Sequence, residues 1–145
     1  MTKKSCLVIG AGDATGGAIA KRFAREGFET CIVRRARHLD QLQGLAAEIA
    51  SEGGSAHAFG VDAREEDEVT ALFAKIEQDV APLGVVVFNI GGNVNFPITD
   101  MTTRVYRKVW EMSCFAGFLA GREAAKYMMP RNAGTIIFTG ATASV

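Results

Sequence analysis

The chain of 145 residues is predicted to be α/β, a doubly wound parallel sheet of about five strands with helices on both faces. Three observations carry this. Short runs that are apolar throughout alternate with longer segments whose apolar residues recur at helical spacing. The short runs lack the in-out alternation of a half-exposed strand, as expected of strands covered on both sides. The first run also ends in a glycine cluster that opens a helical pattern, in "VIGAGDATGGAIAKRF" from Val8 to Phe23.

The elements follow in order. "SCLVIG", Ser5 to Gly10, is a buried strand bounded by glycines. Thr15 to Glu26 reads as a helix stopped by Gly27. "FETCIV", Phe28 to Val33, is the second strand. Leu39, Leu42, Leu45, Ala46 and Ile49 mark a helix that stops near Gly53 and Gly54. "SAHAFGVD" is a third, short strand ending at Asp62. Val69, Leu72, Phe73, Ile76 and Val80 form the stripe of another helix. "GVVVFNIG", Gly84 to Gly91, is the fourth strand, and a loop with Pro97 follows. A long helical pattern runs from about Thr103 to Met129, and "GTIIFTG", Gly134 to Gly140, is the fifth strand. Right-handed crossovers between such strands place a ligand crevice at their carboxyl ends.

Composition narrows the function classes. Sixteen basic and sixteen acidic residues cancel, so the chain offers no electrostatic footprint for nucleic acid or an anionic membrane. No apolar run reaches a membrane span, and the apolar stretch after Lys3 and Lys4 is too short for a signal peptide. Cys6, Cys31 and Cys114 are odd in number and lack metal-ligand spacing. Three free thiols in a cytoplasmic protein, with no metal site, is the expectation. His38 and His57 read as isolated surface or strand residues.

The glycine cluster carries the chemistry. A strand, a glycine-rich turn and a helix leave backbone N–H groups at the helix N-terminus free to hold a phosphate. Glycine is needed where the backbone turns tightly or where a side chain would block a pyrophosphate. A tight turn without ligand is the other reading of these glycines. The spacing Gly10-x-x-x-Ala14-x-Gly16 is one step from Gly-x-x-x-Gly-x-Gly, and with "GAIAKRFAREGF" it resembles the short-chain dehydrogenase/reductase family. The resemblance implies a Rossmann-like fold in which Gly10 makes the turn, Ala14 takes the middle glycine position and Gly16 lets helix and strand pack closely. Gly12, Asp13 and Thr15 complete the candidate phosphate loop.

Further landmarks fall in family order across the chain. "VDA" resembles the segment whose aspartate contacts the adenine amino group, here Asp62 followed by Ala63. As an alternative, Asp62 is a strand-end carboxylate or helix cap. "FNIGG" resembles the Asn-Asn-Ala-Gly stretch over the adenosine ribose. Asn89 and Gly91 match it, while Phe88 and Ile90 depart from it. Asn89 also fits a loop-ordering side chain bonded to backbone. After the second strand, a carboxylate would read a ribose 2′-hydroxyl and an arginine a 2′-phosphate. "VRRARHL" has no carboxylate there and carries Arg34, Arg35 and Arg37, so NADP(H) is favoured over NAD(H). Asp13 pulls the other way, since a carboxylate repels the extra phosphate.

In the resembled family the proton donor is the tyrosine of a Tyr-x-x-x-Lys pair placed after the fifth strand, where this chain ends. The implied reading of residues 1–145 is one dinucleotide-binding domain, incomplete at its C-terminus and inactive alone. Ala141 stands at the family's serine position, with Thr142 and Ser144 the nearby hydroxyls. Cys114 stands at the helix asparagine and is expected to be a buried thiol. Tyr106 and Tyr127 lack the paired lysine. The resemblance implies NAD(P)-dependent hydride transfer on a small carbonyl or alcohol. The alternatives are a non-catalytic nucleotide-binding or scaffold protein on the same fold, or an epimerase relative. It also implies a homo-oligomer through helix 103–129, with Val105, Val109, Met112, Ala116, Leu119, Ala120 and Met128 as its apolar stripe.

Overall fold

In a computed structural model, which describes residues 2–142, five strands form one parallel sheet in the order β3-β2-β1-β4-β5. The strands are β1 (Ser5–Ile9), β2 (Glu29–Arg34), β3 (Ser55–Gly60), β4 (Leu83–Phe88) and β5 (Thr135–Phe138). Between them run α1 (Thr15–Arg25), α2 (Leu39–Ser51) and α3 (Glu66–Asp79). β4 connects to β5 through α4 (Thr103–Trp110) and α5 (Ala116–Met128).

The doubly wound reading holds because successive residues of each central strand serve opposite faces. Leu7, Ile9, Cys31, Val33, Val86 and Phe88 pack with Val69, Leu72, Phe73 and Ile76 of α3 and Leu119 and Ala120 of α5. Cys6, Val8, Ile32, Val85 and Val87 pack with Ala20 and Ala24 of α1 and Leu42 and Ile49 of α2. Each fully buried Leu, Ile, Val or Phe contributes about 1.5–3 kcal/mol relative to exposure. The buried thiols Cys6 and Cys31 are free, and burial pushes both up to about 12.

Two expectations need correction. β3 stops at Gly60 rather than Asp62. At Gly60 the chain passes so near Ala36 that a β-carbon would sit 2.9 Å from the Ala36 Cα, and beyond it Val61 and Asp62 belong to the loop. The helix from 103 to 129 is not continuous either. Glu111–Phe115 form a π turn between α4 and α5. Its buried stripe begins at Ala116 and rests on the chain's own sheet, whereas Val105, Val109 and Met112 are half-buried. The large apolar side chains left exposed on α4 and α5 are Tyr106, Trp110 and Phe118.

Candidate functional site

The sheet order reverses between β1 and β4, the switch point at which ligands bind open α/β sheets. The loops leaving these two strands meet there. The Asn89 N–H donates to the Ile9 carbonyl at 2.8 Å, and Asn89 Nδ2 donates to the Gly10 carbonyl at 3.1 Å. Gly10 sits at φ +92°, and a β-carbon on it would lie 2.5 Å from the Asn89 carbonyl oxygen. One on Gly16 would run into the Gly10 carbonyl oxygen. These two glycines are required because backbone meets backbone on both sides of the turn. Gly12 differs, since a β-carbon there would meet nothing within 4 Å.

The turn delivers α1 with its N-terminus open. Ala14 at the N-cap has no capping side chain, and the first turn carries no acidic residue. Among the described residues, the N–H groups of Asp13, Ala14 and Thr15 donate to no group of the fold, and all three residues are exposed. Free N–H groups and the positive end of an 11-residue helix suit an anionic group such as a pyrophosphate. The open space at Gly12 leaves room for it, so the loop fits the dinucleotide that the sequence pattern implies.

A cleft of about 140 Å³ continues from this loop across the ends of β1, β2 and β3. Gly10, Arg34, Arg35, Asp62, Ala63 and Ile90 line it, so the structure brings four separate stretches of sequence to one place. Gly91, just beyond, faces open space. Arg34 Nη1 donates to Gln41 Oε1 at 2.7 Å, which holds its guanidinium beside the cleft. Arg35 forms no such pair among the described residues. Asp62 is bound by Arg64, with Nε 2.9 Å from Oδ1 and Nη2 2.6 Å from Oδ2. That guanidinium, reinforced by the Arg64 backbone N–H, holds the Asp62 carboxyl below its ordinary range.

Arg64 also lines the cleft, and sequence reasoning missed it. The only signal was a basic residue two positions after Asp62, which becomes a contact only when the chain turns back at the end of β3. Met112, from the π turn, reaches the same cleft.

The candidates for proton chemistry are not brought together in this way. Thr142 is exposed, and Ser144 lies outside the described residues. Cys114 is exposed rather than buried, a correction traced to the π turn that contains it. Tyr106 is exposed on α4, and Tyr127 packs against the core. Neither histidine stands alone. His57 Nε2 lies 3.0 Å from Glu29 Oε2, and His38 Nδ1 lies 3.1 Å from Gln41 Oε1. Among the described residues no cluster of His, Cys, Asp and Glu is placed to hold a metal, and no helix is long and apolar enough to cross a membrane.

Comparison with known proteins bears on the whole architecture. A crystal structure of a short-chain dehydrogenase from Rhodopseudomonas palustris superposes with a TM-score of 0.90 at 53% identity, covering 98% of this chain and 66% of that one. The 2-dehydro-3-deoxy-D-gluconate 5-dehydrogenase of Formosa agariphila is 29% identical over 134 residues, 92% of this chain and 50% of the relative. The hydroxynaphthalene reductase-like protein Arp2 of Metarhizium robertsii is 31% identical over 144 residues, 99% of this chain and 53% of the relative. The chain spans about half the length of the curated relatives it matches. The family profile described as short chain dehydrogenase matches residues 4–145. With the glycine turn, the switch-point cleft and the sheet order in agreement, the chain belongs to the short-chain dehydrogenase family.

Proposed function

We propose that residues 1–145 are the dinucleotide-binding part of an oxidoreductase acting on a small carbonyl or alcohol, and that they take NADP(H) in preference to NAD(H). The nicotinamide ring of such a cofactor supplies or accepts the hydride. The residues of this chain bind and orient. The N–H groups of Asp13 to Thr15 face the pyrophosphate, Gly12 leaves it room, and Asn89 braces the turn beneath it. Asp62, held ionised, accepts from the adenine amino group, and Ala63, Ile90 and Gly91 border the adenosine. The observation that carries the preference is the pair Arg34 and Arg35 on the cleft at the end of β2, where no carboxylate stands. A guanidinium gains two parallel charge-assisted bonds to a phosphate and none of comparable strength to a ribose hydroxyl.

Titration with NADPH and NADH, read by fluorescence or calorimetry, tests the preference. NADPH is expected to bind at least about tenfold more tightly, ~1.4 kcal/mol. Arg34→Ala and Arg35→Ala are expected to weaken NADPH more than NADH. Equal or tighter binding of NADH by the starting protein contradicts the assignment.

The same reading has these 145 residues bind the dinucleotide without turning it over. Ala141 offers no hydroxyl, Cys114 offers a thiol in place of an amide, and Tyr127 is engaged in the core. Loss of a positioned general acid costs about 10²- to 10⁴-fold. Steady NADPH oxidation by the purified chain, across a panel of aldehydes, ketones and quinones, contradicts that part. A homo-oligomer through the outer side of α4 and α5 belongs to the proposal, supported by exposed Tyr106, Trp110 and Phe118. Three free thiols fit a cytoplasmic setting.

A further inference from the structure

Among the described residues, Asp62 receives every hydrogen bond to its carboxylate from one residue. Arg64 donates its backbone N–H to Oδ1 at 3.1 Å, Nε to Oδ1 at 2.9 Å and Nη2 to Oδ2 at 2.6 Å. The side chains are 22% and 27% exposed, so the pair sits in the wall of the cleft rather than in free solvent. The loop behind it is tied as well, since the Asp62 N–H donates to Glu68 Oε2 at 2.9 Å. Two contacts from a planar fork and one from the backbone N–H leave the carboxylate a single orientation, and keep it an acceptor with no proton to give. An unpaired aspartate at a loop would rotate freely about its own side-chain bonds.

We propose that Arg64 is a positioning residue that sets base recognition in the nucleotide cleft: by clamping Asp62, it makes the site select a purine carrying an amino group at position 6 and reject one carrying an oxo group there. This rests on the reading of the cleft as the adenine end of a dinucleotide site. The chemistry is one of sign. A 6-amino group donates to the fixed carboxylate, whereas a 6-oxo group sets a second acceptor against it, and an unpaired buried acceptor pair is unfavourable. Without Arg64 the carboxylate turns away from a 6-oxo group, so the penalty disappears and the preference with it.

The experiment measures dissociation constants of the 145-residue chain for NADPH and for its hypoxanthine analogue, by calorimetry. Wild type, Arg64→Ala, Arg64→Lys, Asp62→Asn and the double variant Arg64→Ala/Asp62→Asn are compared, with thermal unfolding as a check on the fold. Wild type is expected to prefer the adenine form by at least about tenfold. Arg64→Ala is expected to reduce the preference to within about threefold, by tightening the hypoxanthine form as the penalty is relieved and weakening NADPH as the oriented acceptor is lost. Arg64→Lys, a point charge rather than a fork, is expected to keep an intermediate preference. Asp62→Asn and the double variant are expected to match Arg64→Ala, because both residues act through one contact. A merely structural role for Arg64 weakens both nucleotides alike and leaves the ratio unchanged, which overturns the proposal. Wild type binding both forms equally also overturns it. Wild type binding neither overturns the nucleotide reading itself. Should Arg64→Ala unfold, a full wild-type preference in Arg64→Lys overturns the proposal and an intermediate one sustains it.

Discussion

At the scale of residues, the three glycines of the first turn separate structural need from ligand access. A methyl at position 16 meets the Gly10 carbonyl, so Gly16→Ala is expected to lower stability by about 3 kcal/mol or more, the upper end of overpacking costs, in urea unfolding. Gly12 faces open space, so Gly12→Ala is expected to change stability by less than about 0.5 kcal/mol and still weaken NADPH. Ala14→Gly is expected to leave binding unchanged or slightly tighter; a loss beyond about tenfold contradicts a phosphate held by this loop. Gly10 and Gly16 were legible because their spacing follows from how a strand passes into a helix. Arg64 was not, because its pairing depends on the turn that brings it back onto Asp62. Cys114 departs from its expected burial at a local irregularity of the helix. A π turn inserts one residue into the helical ladder and shifts the following phase by about 100°. Cys114 lies in that turn and is exposed, whereas its expected burial rested on the usual burial of free cysteines.

At the scale of elements, β2 and β3 are joined at their first residues by more than the ladder. The register sets Glu29 opposite Ser55 and Cys31 opposite His57. Glu29 accepts from Lys3 Nζ at 2.7 Å, from the Ser55 hydroxyl and from His57. Those bonds, with Lys3 the largest influence, hold its carboxyl at about 2 against an ordinary 4.5. A lowered value in the folded state means the unfolded chain binds more protons, so this contribution rises with pH across the window. It is fully present above about 4.5 and is lost as pH falls toward about 2. The expected outcome is a fall in unfolding free energy over that window, shallower in Glu29→Gln. Equal pH slopes in the two proteins contradict the cluster. In the sequence His57 reads as isolated because its partner lies on the neighbouring strand, a register that periodicity in one strand does not encode.

At the scale of the whole molecule, the order of strands and helices was legible throughout, because strands buried on both faces leave an unbroken apolar signature. The break between α4 and α5 was not, and it changes which side chains face outward. Trp110 stacks on Phe115, with ring centroids 5.8 Å apart, and Phe118 is 55% exposed beside them. An exposed aromatic surface of this kind suits a second copy of the chain. Trp110→Glu is expected to lower the sedimentation coefficient toward that of a monomer at unchanged nucleotide affinity; no difference between variant and wild type contradicts this interface. The central claim, a dinucleotide held at the switch point between β1 and β4, is tested most directly by mapping amide chemical shifts of the ¹⁵N-labelled chain during titration with NADPH. Saturable shifts confined to residues 10–16, 34–35, 62–64 and 89–91 are the expected result. No saturable shifts, or shifts confined to α4 and α5, contradict the account.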